Sequence, residues 1–142
     1  MSEATVRRWR LLGAGTALLA SLYHLSLAAY LATNQLFTTM TYGQDSGLEV
    51  PGFFLVLGAF QLTWAWETYK ERENIMIGIG TIGFLGSIIL YLVALATPVP
   101  FGILQQVISP VALLAKTIEV AYVISSVGLI RNLTKSTVKA RS

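Results

Sequence analysis

Cysteine is missing from this sequence and histidine occurs once, which excludes several kinds of metal and redox chemistry within the chain. Without thiols the chain forms no disulfide, ligates no iron–sulfur cluster and offers no thiolate to zinc. The single imidazole, His24, excludes a haem held by two histidines of this chain. A transition-metal site would have to combine His24 with Glu119 or Glu49, so we expect neither a metal nor a cofactor.

Charged residues are also scarce. They make up 12% of the 142 residues, and hydrophobic residues make up 54%, whereas about 25% of an average soluble domain is charged. The net charge of +3 does not indicate a nucleic-acid partner, because the basic residues lie at the ends of apolar stretches. We therefore expect residues 1–142 to form one transmembrane domain, with the lipid bilayer of the cell membrane as its surroundings.

Long hydrophobic runs predict the fold. Four stretches approach or exceed the roughly 20 residues that a helix needs to cross a bilayer. The predicted spans are residues 11–31, 52–69, 75–96 and 106–130. They indicate an all-α protein, an antiparallel four-helix bundle embedded in a membrane. The first run is longer than the apolar part of a signal peptide, so we expect it to be retained.

Lysine and arginine are absent from two of the three predicted loops, and this asymmetry predicts the orientation. Residues 1–10 contain three of them, residues 70–74 two and residues 131–142 four, while residues 33–51 and 97–105 contain none. Loops rich in Lys and Arg remain on the cytoplasmic side. Both termini are therefore predicted to be cytoplasmic.

The fourth span carries two charges near its middle, Lys116 and Glu119. An ionisable residue at the centre of a membrane helix costs about 2.5–3.5 kcal/mol on insertion scales, so it is normally paired and faces protein or water. Side chains three residues apart on a helix can pair with each other. The pair is open to two interpretations: an ion pair that fixes the rotation of the helix, or a site for a proton, an ion or a polar ligand.

Each span has one stripe of small and polar residues, which we expect to face the bundle interior. The stripes are Ala17, Ser21, His24 and Ala28; Gly58, Gln61, Ala65 and Thr68; Gly80, Gly83, Ser87, Tyr91 and Ala94; and Ser109, Lys116, Glu119 and Ser126. On the fourth span the opposite face is predicted to meet lipid; it comprises Val111, Leu114, Ile118, Ile124 and Leu129.

Counting along the spans places the polar residues of the stripes at similar depths, so we expect them to form one polar layer. The candidates for a ligand or proton site are His24, Gln61, Ser87, Tyr91, Lys116 and Glu119. For His24 and Gln61 the alternative is a structural hydrogen bond between helices. We assign no catalytic residue. Trp64, Trp66 and Tyr69 are expected to form an interfacial aromatic belt, although Trp64 can instead line an internal cavity.

The segment from Leu48 to Gly58, Leu-Glu-Val-Pro-Gly-Phe-Phe-Leu-Val-Leu-Gly, resembles the opening of the second helix in DoxX-like membrane proteins, with Pro51 in place of a glycine. The Arg-Leu-Leu-Gly segment from Arg10 to Gly13 is similar to the start of their first helix. The resemblance covers about the first half of the chain. It implies a small four-helix membrane fold and a role as a subunit of an oxidoreductase complex, and it assigns no catalytic residue.

Three functions remain open from the sequence. The first is a non-catalytic accessory subunit of a larger membrane complex, of respiratory or monooxygenase type, with other membrane subunits as partners. The second is a small transporter or binder of an amphipathic ligand that uses the polar layer. The third is a small membrane enzyme with His24 or Glu119 as general base. No repeat relates the two helical hairpins, so an inverted-repeat transporter lacks support.

Overall fold

The computed structural model describes residues 3–34, 49–70, 74–96 and 110–139, and all the regular structure in these ranges is α-helical. The helices are α1 (Glu3–Thr33), α2 (Glu49–Lys70), α3 (Asn74–Ala96) and α4 (Pro110–Lys139). The predicted all-α fold with four helices is therefore confirmed. Most of the predicted loops (residues 35–48, 71–73 and 97–105) and the start of the fourth span at 106–109, which includes Ser109, lie outside the described residues.

Helices α1 and α4 extend well beyond the apolar runs that predicted them. Helix α1 begins at Glu3 and α4 continues to Lys139, so both include basic segments beyond the predicted spans. Arginine and lysine are good helix formers, and a change from apolar to charged residues does not end a helix. At the start of α4, Pro110 occupies the first helical position, where its fixed φ and missing N–H are tolerated.

The helices pack antiparallel, each between two neighbours. Along α1, Gly13 lies against Thr68 and Ser125, so the start of α1 meets the end of α2 and the second half of α4. Helix α3 packs mainly on α4 and more lightly on α2, while α1 packs on α2 and α4. The arrangement gives a four-helix bundle with an interior reached by all four helices.

Three of the helices are long and apolar enough to cross a membrane, over Glu3–Thr33, Ile75–Leu95 and Pro110–Thr134 among the described residues. Helix α2 is not one of them. Polar and charged residues, including Gln61 and Glu67, reduce its mean hydropathy. Since Gln61 is fully buried in the bundle, part of this polarity faces protein.

Aromatic rings fill the centre of the core. Tyr122 of α4 stacks on Phe84 of α3, with ring centroids 4.0 Å apart. Trp64 packs in the same cluster, edge-on to Phe60, and is 7% exposed. The prediction that Trp64 belongs to an interfacial belt is therefore wrong. Its side chain lies between the helices and packs against Gly80 of α3. Its neighbours Trp66 and Tyr69 do point outward.

The predicted stripes of α1, α2 and α3 face the interior, but α4 is rotated from the prediction. Leu129, which was expected on the outer face, is fully buried, and Ile118 is half-buried against the core. The buried face is centred instead on Glu119 and Tyr122. The sequence pattern predicts Lys116 on the inner face together with Glu119 and Ser126. In the structure Lys116 lies at the edge of the buried face, and its long, flexible side chain reaches the interior from there.

Candidate functional site

Glu119 lies at the centre of a hydrogen-bond network that joins all four helices. Its side chain is fully buried. One carboxylate oxygen, Oε1, accepts a 2.9 Å bond from Gln61 Nε2 of α2. The other, Oε2, accepts a 2.8 Å bond from Lys116 Nζ, one turn earlier on α4. The Ser87 hydroxyl of α3 is 3.1 Å from each oxygen. Three donors thus converge on one carboxylate.

Helix α1 joins the network through His24, which is also buried. Its Nδ1 lies 2.7 Å from Gln61 Oε1 and 3.0 Å from the Ala20 carbonyl oxygen. The imidazole stacks on Phe54 at 5.8 Å, and Tyr23 packs edge-on at 5.0 Å. Gln61 therefore connects the imidazole to Glu119, accepting at one end of its amide and donating at the other.

These contacts predict the tautomer of His24. Both groups next to Nδ1 are acceptors, since Gln61 presents its oxygen there and donates its NH₂ to Glu119. Neutral His24 is therefore expected to carry its proton on Nδ1. The ¹⁵N chemical shifts of the labelled ring will show this. As a control, Gln61→Leu removes one acceptor and leaves Ala20, so Nδ1 protonation should persist; an Nε2–H tautomer in the native protein would contradict the assignment.

The remaining ring nitrogen faces the carboxylate without bonding to it. His24 Nε2 is 3.8 Å from Glu119 Oε1, which is too long for a hydrogen bond. The arrangement therefore places an imidazole and a carboxylate side by side in the core, held apart by the Gln61 amide. Chemically this set can orient helices, hold a proton, or bind a polar group that displaces one of the internal bonds.

Lys116 forms the edge of the network. Its ammonium donates to Ser87 Oγ at 3.0 Å as well as to Glu119, and its side chain is 15% exposed. The same ammonium lies 5.5 Å from the centre of the Tyr91 ring, a cation–π contact. The Tyr91 hydroxyl is buried and has no hydrogen-bond partner among the described residues. Tyr91 therefore lies beside the network but is not hydrogen-bonded to it.

The structure thus brings five of the six sequence-predicted candidates into one hydrogen-bond network. The convergence that the sequence predicted is confirmed for His24, Gln61, Ser87, Lys116 and Glu119. The role of this layer as a ligand or proton site stays a prediction. Among the described residues, no group of three or more His, Cys, Asp or Glu side chains is placed to hold a metal ion.

Sequence reasoning missed a second set of polar contacts, one to two turns further along α4. The Tyr122 hydroxyl bonds Thr68 of α2 at 3.2 Å, and Thr81 of α3 donates to Ser126 at 2.9 Å. Tyr122 is fully buried. A signal was present, because Tyr122 follows Glu119 by three residues and so lies on the same helix face.

Comparison with family models, with curated proteins and with solved structures finds no match for this chain. The resemblance to DoxX-like proteins is neither supported nor opposed by these comparisons and stays a prediction.

Proposed function

We propose that this chain is a four-span integral membrane protein, with both termini cytoplasmic, that serves as a non-catalytic accessory subunit of a larger membrane complex. Three apolar helices support the membrane placement, and α2 packs against α1 and α3 as part of the same bundle. The nine Lys and Arg residues outside Lys116 belong to the predicted cytoplasmic segments, which supports the orientation. An oxidoreductase complex is the setting that the DoxX-like resemblance implies.

The observation that carries this proposal is that the buried carboxylate of Glu119 finds its hydrogen-bond donors within the bundle. Glu119 accepts from Gln61, Ser87 and Lys116, and its side chain has no exposed surface. A carboxylate that acts on a substrate must have room to contact it. Here its contacts run between helices of the same bundle, which supports a structural role. Buried polar groups that satisfy one another fix the rotation of packed helices.

An outward face of α3 supports the presence of a partner. Gly78 and Gly86 are two turns apart on this face, and a Cβ added to either meets no atom within 4 Å. By contrast, the Trp64 and Phe60 rings of α2 pack directly against Gly80 and Gly83, where a Cβ would collide with them. Glycine within a helix is less favourable than alanine by about 0.8–1 kcal/mol. In membranes, small residues let a second helix approach closely, so we place the partner helix on Gly78 and Gly86.

The test is native purification in a mild detergent, followed by native mass spectrometry of the intact assembly. The proposal predicts that the chain is recovered in a larger complex and that Gly78→Leu combined with Gly86→Leu releases a folded chain from it. The matched control is Gly52→Leu on α2, where an added Cβ also meets no atom within 4 Å; it should leave the complex intact. Recovery of the native protein as a lone monomer would overturn the proposal.

A second candidate function, binding of an amphipathic ligand, is favoured by one observation at the edge of the network. Lys116 is partly exposed, and the buried Tyr91 hydroxyl beside it lacks a partner among the described residues. A small amphipathic anion such as 8-anilinonaphthalene-1-sulfonate, whose binding is followed by quenching of tryptophan fluorescence, provides the probe. Binding that is lost in Lys116→Met and weakened in Tyr91→Phe supports this candidate, and absence of binding removes it.

A further inference from the structure

An apolar groove of about 670 Å³ runs along the outside of the bundle between α1 and α2. Its α1 wall includes Leu11, Gly15 and Leu18, and its α2 wall includes Leu62, Trp66 and Tyr69. The groove is separate from the polar network and from the α3 face assigned above to a partner helix. Its volume lies within the roughly 300–1,000 Å³ range of ligand pockets.

A basic residue lies beyond each wall of the groove, and both residues are at the same end of the bundle. Arg7 is four residues before Leu11, hence on the same face of α1, and it is exposed. On α2, Lys70 is exposed, and its ammonium lies 4.3 Å from the centre of the Trp66 ring. The two helices are antiparallel, with Gly13 against Thr68, so Arg7 and Lys70 flank one mouth.

Among the described residues near this mouth, the acids to be set against the cations are Glu67 and Glu3. Glu67 is half-buried and already has an interaction within the protein. Glu3 lies one turn beyond Arg7, further from the groove. Arg8, exposed and adjacent to Arg7, adds a further cation on α1. Among the described residues, cations therefore outnumber acids at the mouth of the apolar groove.

The length of the groove distinguishes between possible occupants. Leu11 and Leu18 are seven residues apart, so the groove extends about 10 Å along α1. Half of a bilayer's hydrocarbon core is about 15 Å deep. A transmembrane helix crosses both halves of the bilayer, whereas an acyl chain is confined to one. The groove therefore matches a lipid chain of the leaflet next to this mouth.

We propose that this groove is a binding site for one anionic phospholipid, with an acyl chain between α1 and α2 and the phosphate between Arg7 and Lys70. Trp66 and Tyr69 then lie at the headgroup boundary, which aromatic side chains of membrane proteins favour. Arg7 and Lys70 favour an anionic headgroup, and Gly15 leaves room in the groove for the acyl chain. The proposal rests on the membrane placement proposed above but not on the existence of a partner subunit.

The test uses the purified full chain in detergent, titrated with phosphatidylglycerol or with phosphatidylcholine of the same acyl chains, and counts bound lipid by native mass spectrometry. We expect one phosphatidylglycerol to bind at least fivefold more tightly than phosphatidylcholine. Arg7→Gln and Lys70→Gln should each weaken phosphatidylglycerol binding by about fivefold, the usual effect of one cation near an anionic lipid surface. Soluble glycerol phosphate, which has no acyl chain, should not compete.

Two further variants make the result decisive. Arg131→Gln removes another exposed cation at the same end of the bundle, on α4, and should leave the affinity unchanged. Gly15→Leu fills the groove and should weaken both lipids. Equal binding of the two lipids, an equal effect of Arg131→Gln, or no effect of Gly15→Leu would each overturn the site. A chain that is soluble without detergent would instead overturn the membrane placement.

Discussion

Replacing Glu119 with alanine is expected to lower the free energy of unfolding by about 3 kcal/mol. The change removes the acceptor shared by Gln61, Ser87 and Lys116. Removing one partner of a buried ion pair typically costs about 3–5 kcal/mol, because the other charge remains uncompensated. The lower end of that range applies here, since the Lys116 side chain is 15% exposed and can extend toward a more polar environment. Unfolding by SDS in mixed micelles, followed by tryptophan fluorescence, measures the change.

Two variants separate this effect from a general loss of helix stability. Thr117→Ala alters an exposed neighbour whose hydroxyl bonds the Leu113 carbonyl of its own helix, and it should change stability by less than about 0.5 kcal/mol. Lys116→Met combined with Glu119→Leu removes both charges, and it should recover roughly half of the loss. A Glu119→Ala protein as stable as the native chain would show that the network does not hold the bundle together.

Gly58→Val is expected to destabilise the bundle by about 2–3 kcal/mol through overpacking. A Cβ at this position would lie 2.8 Å from Leu25 Cγ and 3.1 Å from the Leu25 backbone nitrogen. The backbone atom cannot move away by a change of rotamer, so α1 and α2 have to separate. Separation also weakens the 2.8 Å hydrogen bond from Ser21 Oγ to the Gly58 carbonyl oxygen. The same SDS titration measures the loss.

Gly52→Val provides a control on the same helix. A Cβ at Gly52 meets no atom within 4 Å, so the substitution changes helix propensity without creating a clash. We expect a change of less than about 0.5 kcal/mol there, because valine is intrinsically a somewhat better helix former than glycine. If the two variants were equally stable, close packing at Gly58 would not be the reason for its glycine.

Both predictions concern contacts of α2, since Gly58 packs on α1 and Gln61 bonds Glu119 of α4. The contact between Ser21 and Gly58 lies one turn from the bond between His24 and Gln61 on both helices. Close backbone approach and buried hydrogen bonding therefore support each other, since the short side chain of Ser21 reaches the α2 backbone only where glycine permits it. The polar contacts lie at the centre of the bundle, and the proposals above assign its outer surfaces to lipid and a partner.

Much of the polar layer could be predicted from the spacing of residues in the sequence. His24, Gln61, Ser87 and Glu119 each occupy the small-residue stripe of their helix at similar depth, and counting residues was enough to predict that they meet. The α4 stripe was less well predicted: Leu129 is buried, and Tyr122 was not considered. Polar residues alone did not locate the centre of the α4 face, because long side chains such as Lys116 reach the interior from its edge.

The sequence by itself determined that the chain forms apolar helices with a polar stripe on each, because helix length and the spacing of residue types are properties of the chain alone. Only the tertiary structure decided which polar groups bond: Gln61 stands between His24 and Glu119, and Tyr122 meets Thr68. Such partners depend on the rotation and axial offset of neighbouring helices to within about 1 Å, since hydrogen bonds weaken beyond roughly 3.2 Å. Hydrophobic periodicity does not specify positions that finely.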